Sequence, residues 1–242
     1  MRLGALQPGY LPWLGFFDQI ARCDLFILYD DLPYAKDSWR NRNRIKTPQG
    51  ALWLTVPVAD EGLSRKTIRE IEIREHGNWR ERHWRAVERN YSRAPYFAPH
   101  AQFFAELYAR PWQFLVDLDL AIISYLLQAL EFRTKVVLSS EEGLEKAFLE
   151  SRGGVTEPTE RVAFLCTHFG ADRFLEGALG RTFLEPERLA PRGITLEFHD
   201  YAHPRYRQLF GPFVPYLSVI DLLMNHGEES LAILMGQKVV AS

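Results

Sequence analysis

The densest chemistry in this sequence lies in Ser38-Trp39-Arg40-Asn41-Arg42-Asn43-Arg44-Ile45-Lys46, where four cations fall within seven residues and no acid interrupts them. In an extended segment, Arg40, Arg42, Arg44 and Lys46 share one face at the two-residue period, and Asn41, Asn43 and Ile45 take the other. Like charges so close repel one another, so they either face water or gather around an anion. A guanidinium fork grips phosphate or carboxylate oxygens in pairs, which makes an anion site the reading to test against a solvated charge run. Basic residues elsewhere are interleaved with acids, and no second basic stripe is expected from the order of residues.

Two further constellations could join it. Gln7-Pro8-Gly9-Tyr10-Leu11-Pro12-Trp13-Leu14-Gly15 stands where a first strand gives way to a helix, the place at which open α/β sheets bind ligands. A helix start there favours phosphate or carboxylate. Gly15, one turn in, is expected to let a ligand or another backbone approach. Gln7, Tyr10 and Trp13 are candidate substrate contacts, although a rigid Pro/Gly turn packed with aromatics would use the same residues. Asp30-Asp31 ends the next apolar run and could serve as general base, hold Mg²⁺, pair with the arginines, or simply close a strand. Late in the chain, His199-Asp200-Tyr201-Ala202-His203-Pro204-Arg205-Tyr206-Arg207-Gln208 concentrates groups suited to a pocket rim. His203 is the candidate acid–base there, with Tyr206 and Gln208 as substrate contacts. Ser218 has no nucleophile-elbow motif around it and reads as a helix cap. His83, His168 and His226 read as ordinary histidines.

The elements that must position these groups follow from periodicity. Arg2–Leu6 reads as a strand, 11–22 as an amphipathic helix and 24–29 as a buried strand, together a βαβ unit with a right-handed crossover. Residues 39–47, 52–58 and 67–73 read as extended. Helices are expected over 79–91, 101–109, 113–130 and 142–149, from Thr156 onward, and near 217–225 and 228–235. Short strands are expected at 136–138 and 194–201. The fold class is therefore α/β, with the N-terminal βαβ unit belonging to a mostly parallel sheet. One domain over 1–242, with a mainly helical subdomain around 76–180, is the simplest organisation.

The bulk composition narrows the function classes. A net charge of −2 gives no global pull toward nucleic acid. The two cysteines, Cys23 and Cys166, each lie on an apolar stretch and read as buried reduced thiols rather than a disulfide or metal framework. No 18-residue apolar run and no signal-peptide pattern occurs, so no membrane insertion is expected and the cytoplasm is the expected compartment. No metal-ligand spacing stands out.

The motifs taken in order resemble the WbqC-like protein family. They are Gln7-Pro8-x-Tyr10-x-Pro12-Trp13-x-Gly15-x-Phe17-Asp18, Asp24-x-Phe26, Asp30-Asp31, Trp39-Arg40-Asn41-Arg42-x-x-Ile45-Lys46, Leu54-Thr55-Val56-Pro57-Val58, Tyr91-x-x-Ala94-Pro95-Tyr96-Phe97 and Tyr206-x-Gln208 through Gly227. The resemblance implies a bacterial protein of O-antigen and surface-polysaccharide biosynthesis that transfers glycine or another small acyl group to an amino sugar. It carries over no catalytic residue. A more distant similarity is to HxGH nucleotidyltransferases and pantothenate-synthetase-like ligases, with Trp13 and Phe16 standing where those carry their two histidines.

Three readings follow. A transferase would bind a nucleotide, nucleotide-sugar or acyl donor through Arg40, Asn41, Arg42, Arg44 and Lys46, with Mg²⁺ as the accompanying ion and Asp30, Asp31 or His203 in catalysis. A non-catalytic nucleotide-sugar module would keep the anion site and lose turnover. RNA binding, with Trp39 as a stacking platform, is the least favoured.

Overall fold

Leu25–Leu28 is apolar at every position and buried on both faces, the pattern of a central strand in a parallel sheet. The computed structural model, which describes residues 1–35, 38–59, 62–63 and 66–236, builds such a sheet. β1 (Arg2–Leu6), β2 (Leu25–Leu28), β5 (Lys135–Leu138), β6 (Arg173–Gly177) and β7 (Thr195–His199) lie in the order β5-β2-β1-β6-β7, every pairing parallel. The register runs from Leu3 opposite Leu25 to Leu6 opposite Leu28, and from Arg173 opposite Thr195 to Gly177 opposite His199. Because all five strands point the same way, their carboxyl ends share one edge. The α/β class and the N-terminal βαβ unit hold.

The chain divides into two compact units. The first comprises Met1–Gln7, Asp18–Leu32 and Arg133–Tyr201, and contains the parallel sheet. Its core joins Leu3, Ile27, Val137, Phe174 and Ile194 of the strands and their flanks to Leu144, Val162 and Leu165 of α6 (Leu144–Ser151) and α7 (Pro158–Phe169). Cys166 lies in that core, and burial pushes the Cys23 and Cys166 thiols up to about 12, which keeps both protonated.

The second unit comprises Pro8–Phe17, Pro33–Phe132 and the described residues of Ala202–Ser242. β3 (Arg42–Thr47) and β4 (Gly50–Thr55) form an antiparallel hairpin, with Arg44 opposite Trp53 and Thr47 opposite Gly50. Around it stand α2 (Trp79–Tyr91), α3 (Phe97–Ala109), α4 (Leu115–Ala129) and α9 (Val219–His226). Trp79, His83, Val87 and Tyr91 recur every fourth residue and form the buried face of α2. The division between units falls within α1 (Leu14–Ala21).

Three expectations are corrected. Residues 67–73 do not form a strand; Ile68–Glu70 is a 3₁₀ turn, with the Glu70 carboxylate accepting the Thr67 N–H and hydroxyl at 2.7 and 2.8 Å. Ile68 and Ile71 are buried because three residues complete one such turn, a spacing that alternation with charges concealed. The helix expected over 142–149 is divided at Gly143 into α5 (Ser139–Glu142) and α6. Strand β6 was not expected at all, since Phe174 and Leu175 are its only apolar side chains and give no periodic signal.

Candidate functional site

The cationic strand is extended from Arg42, but its charges do not form one solvent face. Lys46 is 1% exposed, and its Nζ donates to the carbonyl of Pro212. Arg40 turns inward too: burial lowers its guanidinium to about 10, against the opposing charge of Asp119, and its Nη1 donates to the Pro8 carbonyl at 3.5 Å. Arg42 and Arg44 are half-buried beneath open aromatic rings. The Arg42 guanidinium lies 5.3 Å from the Trp53 ring, and that of Arg44 lies 5.4 Å from Trp53 and 5.8 Å from Trp39. Trp39 and Trp53 are 45% and 47% exposed, with ring centroids 5.2 Å apart. Two guanidiniums and two open indoles thus form a platform. The strand places Arg44 directly across from Trp53, which cross-strand pairing alone dictates once the hairpin register is set.

Asn41 and Asn43 fix that hairpin rather than face a ligand. Asn41 Nδ2 donates to the Val56 carbonyl at 2.9 Å, while Asn43 Nδ2 donates to Leu11 at 2.7 Å and its Oδ1 accepts the Arg44 N–H. The N-terminal turn is tied to the same segment, since the Tyr10 N–H donates to the Arg40 carbonyl at 2.9 Å. Gly9 makes this approach possible: a Cβ there would stand 2.8 Å from the Trp39 carbonyl oxygen. Gly15 is a correction. The space above it holds the Trp13 indole, 2.2 Å from where a Cβ would be, so the glycine makes room for that ring and not for an external ligand. Tyr10 is fully buried, its hydroxyl bonded to Tyr108 and to His83 Nδ1 at 2.8 Å. Burial pushes His83 down to about 4, leaving a neutral ring. Nearby in charge, Asp119 is wholly buried, and neither of its carboxylate oxygens has a hydrogen-bond partner among the described residues. Burial drives its carboxyl well up despite the pull of Arg40.

The late segment is pinned by its own polar side chains. His203 Nδ1 donates to the Pro204 carbonyl at 2.8 Å, and its Nε2 accepts the Tyr216 N–H at 3.1 Å. The Gln208 amide donates to the carbonyl and accepts the N–H of Val214, both at 2.9 Å. Tyr206 donates to Asp221 Oδ2, and Tyr91 to Asp221 Oδ1, each at 2.9 Å. Burial raises the Asp221 carboxyl against these bonds. These pins hold Tyr216 at φ +57, a left-handed conformation costly for a bulky residue, and present it 48% exposed beside Trp13 and His203. Arg44 Nη2 donates to its carbonyl at 3.0 Å. Ser218 caps α9, and its N–H donates to the Arg44 carbonyl at 2.8 Å. The early turn, the cationic strand and the late segment are therefore brought together within the second unit.

The first unit offers its own edge of polar groups. Gln7 follows β1, Asp30 and Asp31 follow β2, and Ser139 and Ser140 follow β5. Asp30 accepts the Ser140 N–H at 3.0 Å and hydroxyl at 2.7 Å, which anchors the turn after β5. Burial raises the Asp31 carboxyl. At the strand ends on the other side, His199 Nε2 meets Asp18 Oδ2 at 2.6 Å, with Arg22 on the same carboxylate. Burial would raise Asp18, but these hydrogen bonds outweigh it and hold the carboxyl low. Between them, β1 and β6 are neighbours from which the chain order departs in opposite directions, the switch point at which open sheets take ligands. Glu176 is the next-to-last residue of β6 there, its carboxyl pushed up to about 7 by burial. No sequence signal pointed to Glu176, because its strand had none.

One more cationic row went unread. Arg82, Arg85 and Arg89 of α2, with Arg93 in the turn just past its end, line a single groove. The expectation of no second basic stripe fails because the intervening acids alternate in sequence but rotate away at the helical period. Among the described residues, no group of three or more His, Cys, Asp or Glu is placed to hold a metal ion, and no helix is long and apolar enough to cross a membrane.

A doubly wound parallel sheet in one unit and an arginine–tryptophan platform in the other define an α/β protein. The chain belongs to the WbqC-like protein family, whose model matches residues 7–233. It is also 36% identical over 231 residues to a protein of Mycobacterium tuberculosis described as uncharacterized, covering 95% of each chain. No solved structure matches it.

Proposed function

We propose that the protein is a transferase of bacterial surface-polysaccharide biosynthesis that passes glycine or another small acyl group to an amino sugar bearing a phosphate or nucleotide. The observation that carries this reading is the platform of Arg42 and Arg44 over the open rings of Trp53 and Trp39. Indole faces stack on sugar or base rings, and guanidiniums grip phosphate oxygens, so the pair suits a ligand with both parts. Tyr216 extends the aromatic surface through Arg44. A Mg²⁺ ion accompanying the nucleotide would be bound largely through phosphates and water, with one or two carboxylates at most, and so needs no protein cage.

A second reading, a binding module without turnover, is favoured by one observation: Asp30 and His203 already spend their polar atoms on Ser140, Pro204 and Tyr216. A thermal-shift screen against nucleotides, nucleotide-sugars and acyl donors tests both. A stabilising ligand whose effect disappears in Arg42→Ala and Trp53→Ala supports the platform; a ligand indifferent to both removes it. Consumption of an acyl donor in the presence of that ligand separates transferase from module.

A further inference from the structure

The buried face of α2 sets the direction of its opposite face. With about 100° per residue, Arg82, Arg85 and Arg89 fall within an arc of roughly 60° and span about 10 Å of rise, and Arg93 follows in the turn two residues past the helix end. All four are exposed. They line a groove of about 880 Å³ whose other wall is Pro48, Gln49, Ala51 and Leu52 of the hairpin, with Phe210 from the late segment. Arg85 pairs with Glu81 at 2.6 Å. For Arg82, Arg89 and Arg93, no carboxylate oxygen lies within the 4.0 Å of an ion pair among the described residues. Glu81 and Glu88 are rotated toward one side of the row. Four cations with one counter-charge along a single groove repel one another unless an anion enters.

The opposite wall narrows the chemistry of that anion. Leu52 is 40% exposed, an apolar side chain held open beside the arginines. Phe210 is kept at φ +61, a conformation bulky residues rarely adopt. Strain of this kind persists where surrounding structure imposes it, here in a segment pinned by Gln208 and His203. Ligand sites measure roughly 300–1,000 Å³, so the groove suits one nucleotide-sized molecule. Guanidiniums one turn apart clamp neighbouring phosphates, while the apolar wall takes a ring.

We propose that this groove binds a nucleoside diphosphate group, with the phosphates on Arg82, Arg85, Arg89 and Arg93 and the nucleoside against Leu52 and Phe210. The site is separate from the Arg42–Trp53 platform and does not depend on it.

Calorimetric titration of the full chain with a nucleoside diphosphate, pyrophosphate, the bare nucleoside and a short single-stranded oligonucleotide tests this. The nucleoside diphosphate binds, and each of Arg89→Ala and Arg93→Ala weakens it about tenfold, the worth of one charge-assisted hydrogen bond. Because neither arginine has an ion-pair partner among the described residues, both variants keep the unfolding temperature of the parent. Leu52→Ser weakens the nucleotide and leaves pyrophosphate unchanged. Affinity falls in roughly 1 M salt, where charges are screened beyond about 3 Å. Binding that survives in Arg89→Ala/Arg93→Ala but is lost in Arg42→Ala would overturn the groove and leave the platform standing. Pyrophosphate binding as tightly as the nucleotide would overturn the nucleoside assignment, and an oligonucleotide binding far more tightly would replace it with nucleic acid. No binding of any of the four would end the proposal.

Discussion

Arginines in the two units are used differently. In the first unit most sit on carboxylates: Arg22 on Asp18, Arg161 on Glu145, Arg181 on Asp200, and Arg152, Arg188 and Arg192 together on Glu160. In the second, Arg44, Arg82, Arg89 and Arg93 have no carboxylate within 4.0 Å among the described residues, and Arg44 faces indole rings instead. A guanidinium already neutralised by the fold holds structure and has little charge left to offer. One left without a counter-ion raises the local potential and keeps its donors for something that arrives from solution. The comparison therefore separates arginines whose loss should cost stability from arginines whose loss should cost binding.

The largest effect should come from breaking a neutralised pair. Glu145 accepts both Nε and Nη2 of Arg161 and the Tyr29 hydroxyl, with side chains of Glu145 and Arg161 only 11% and 18% exposed. Glu145→Ala strands that guanidinium, and chemical denaturation should show a loss of about 3 kcal/mol. If instead stability is unchanged, the pair is not what holds the first unit's arginines, and the contrast weakens.

Next in size is a carboxyl with no ion-pair partner among the described residues. Glu176 has a folded value near 7, above its ordinary value, because burial penalises its charged form. The folded state therefore holds a proton that the unfolded state releases as pH rises from about 4.3 toward neutrality, so stability declines across that window. Glu176→Gln should remove the decline, gaining on the order of 1–3 kcal/mol at pH 8 and little at pH 4. Parallel pH profiles for parent and variant would contradict the burial of this group.

Smaller again is the change on the platform. Arg44→Ala removes two cation–ring contacts and a bond to the Tyr216 carbonyl, and should shift stability by no more than about 1 kcal/mol. Its ligand affinity should drop about tenfold, as for a lost charge-assisted bond. A stability loss matching that of Glu145→Ala would place Arg44 with the structural arginines. The smallest effect is expected from Arg85→Ala in ligand-free protein. Its exposed pair with Glu81 is worth about 0.5 kcal/mol or less, which a melting curve should barely register.

Much of this was set by local rules that a single chain exposes. The apolar run Leu25–Leu28 specified a buried parallel strand, and the spacing of Trp79, His83, Val87 and Tyr91 specified a helix face, because burial acts on residue type at a fixed period. The cap at Ser218 and the cluster of guanidiniums around Arg42 were equally visible. What the sequence could not decide is where each charge ends up. Arg40, Arg42, Arg44 and Lys46 look alike in order, yet only partners distant in the chain, Asp119 for one and Pro212 for another, draw Arg40 and Lys46 inward while the others stack against Trp39 and Trp53. The same holds for the row on α2, which the alternation of arginine and glutamate hides, and for Glu176, whose strand carries too few apolar residues to announce itself. Periodicity is a local property; burial and charge pairing are sums over neighbours that only the tertiary fold brings within a few ångströms.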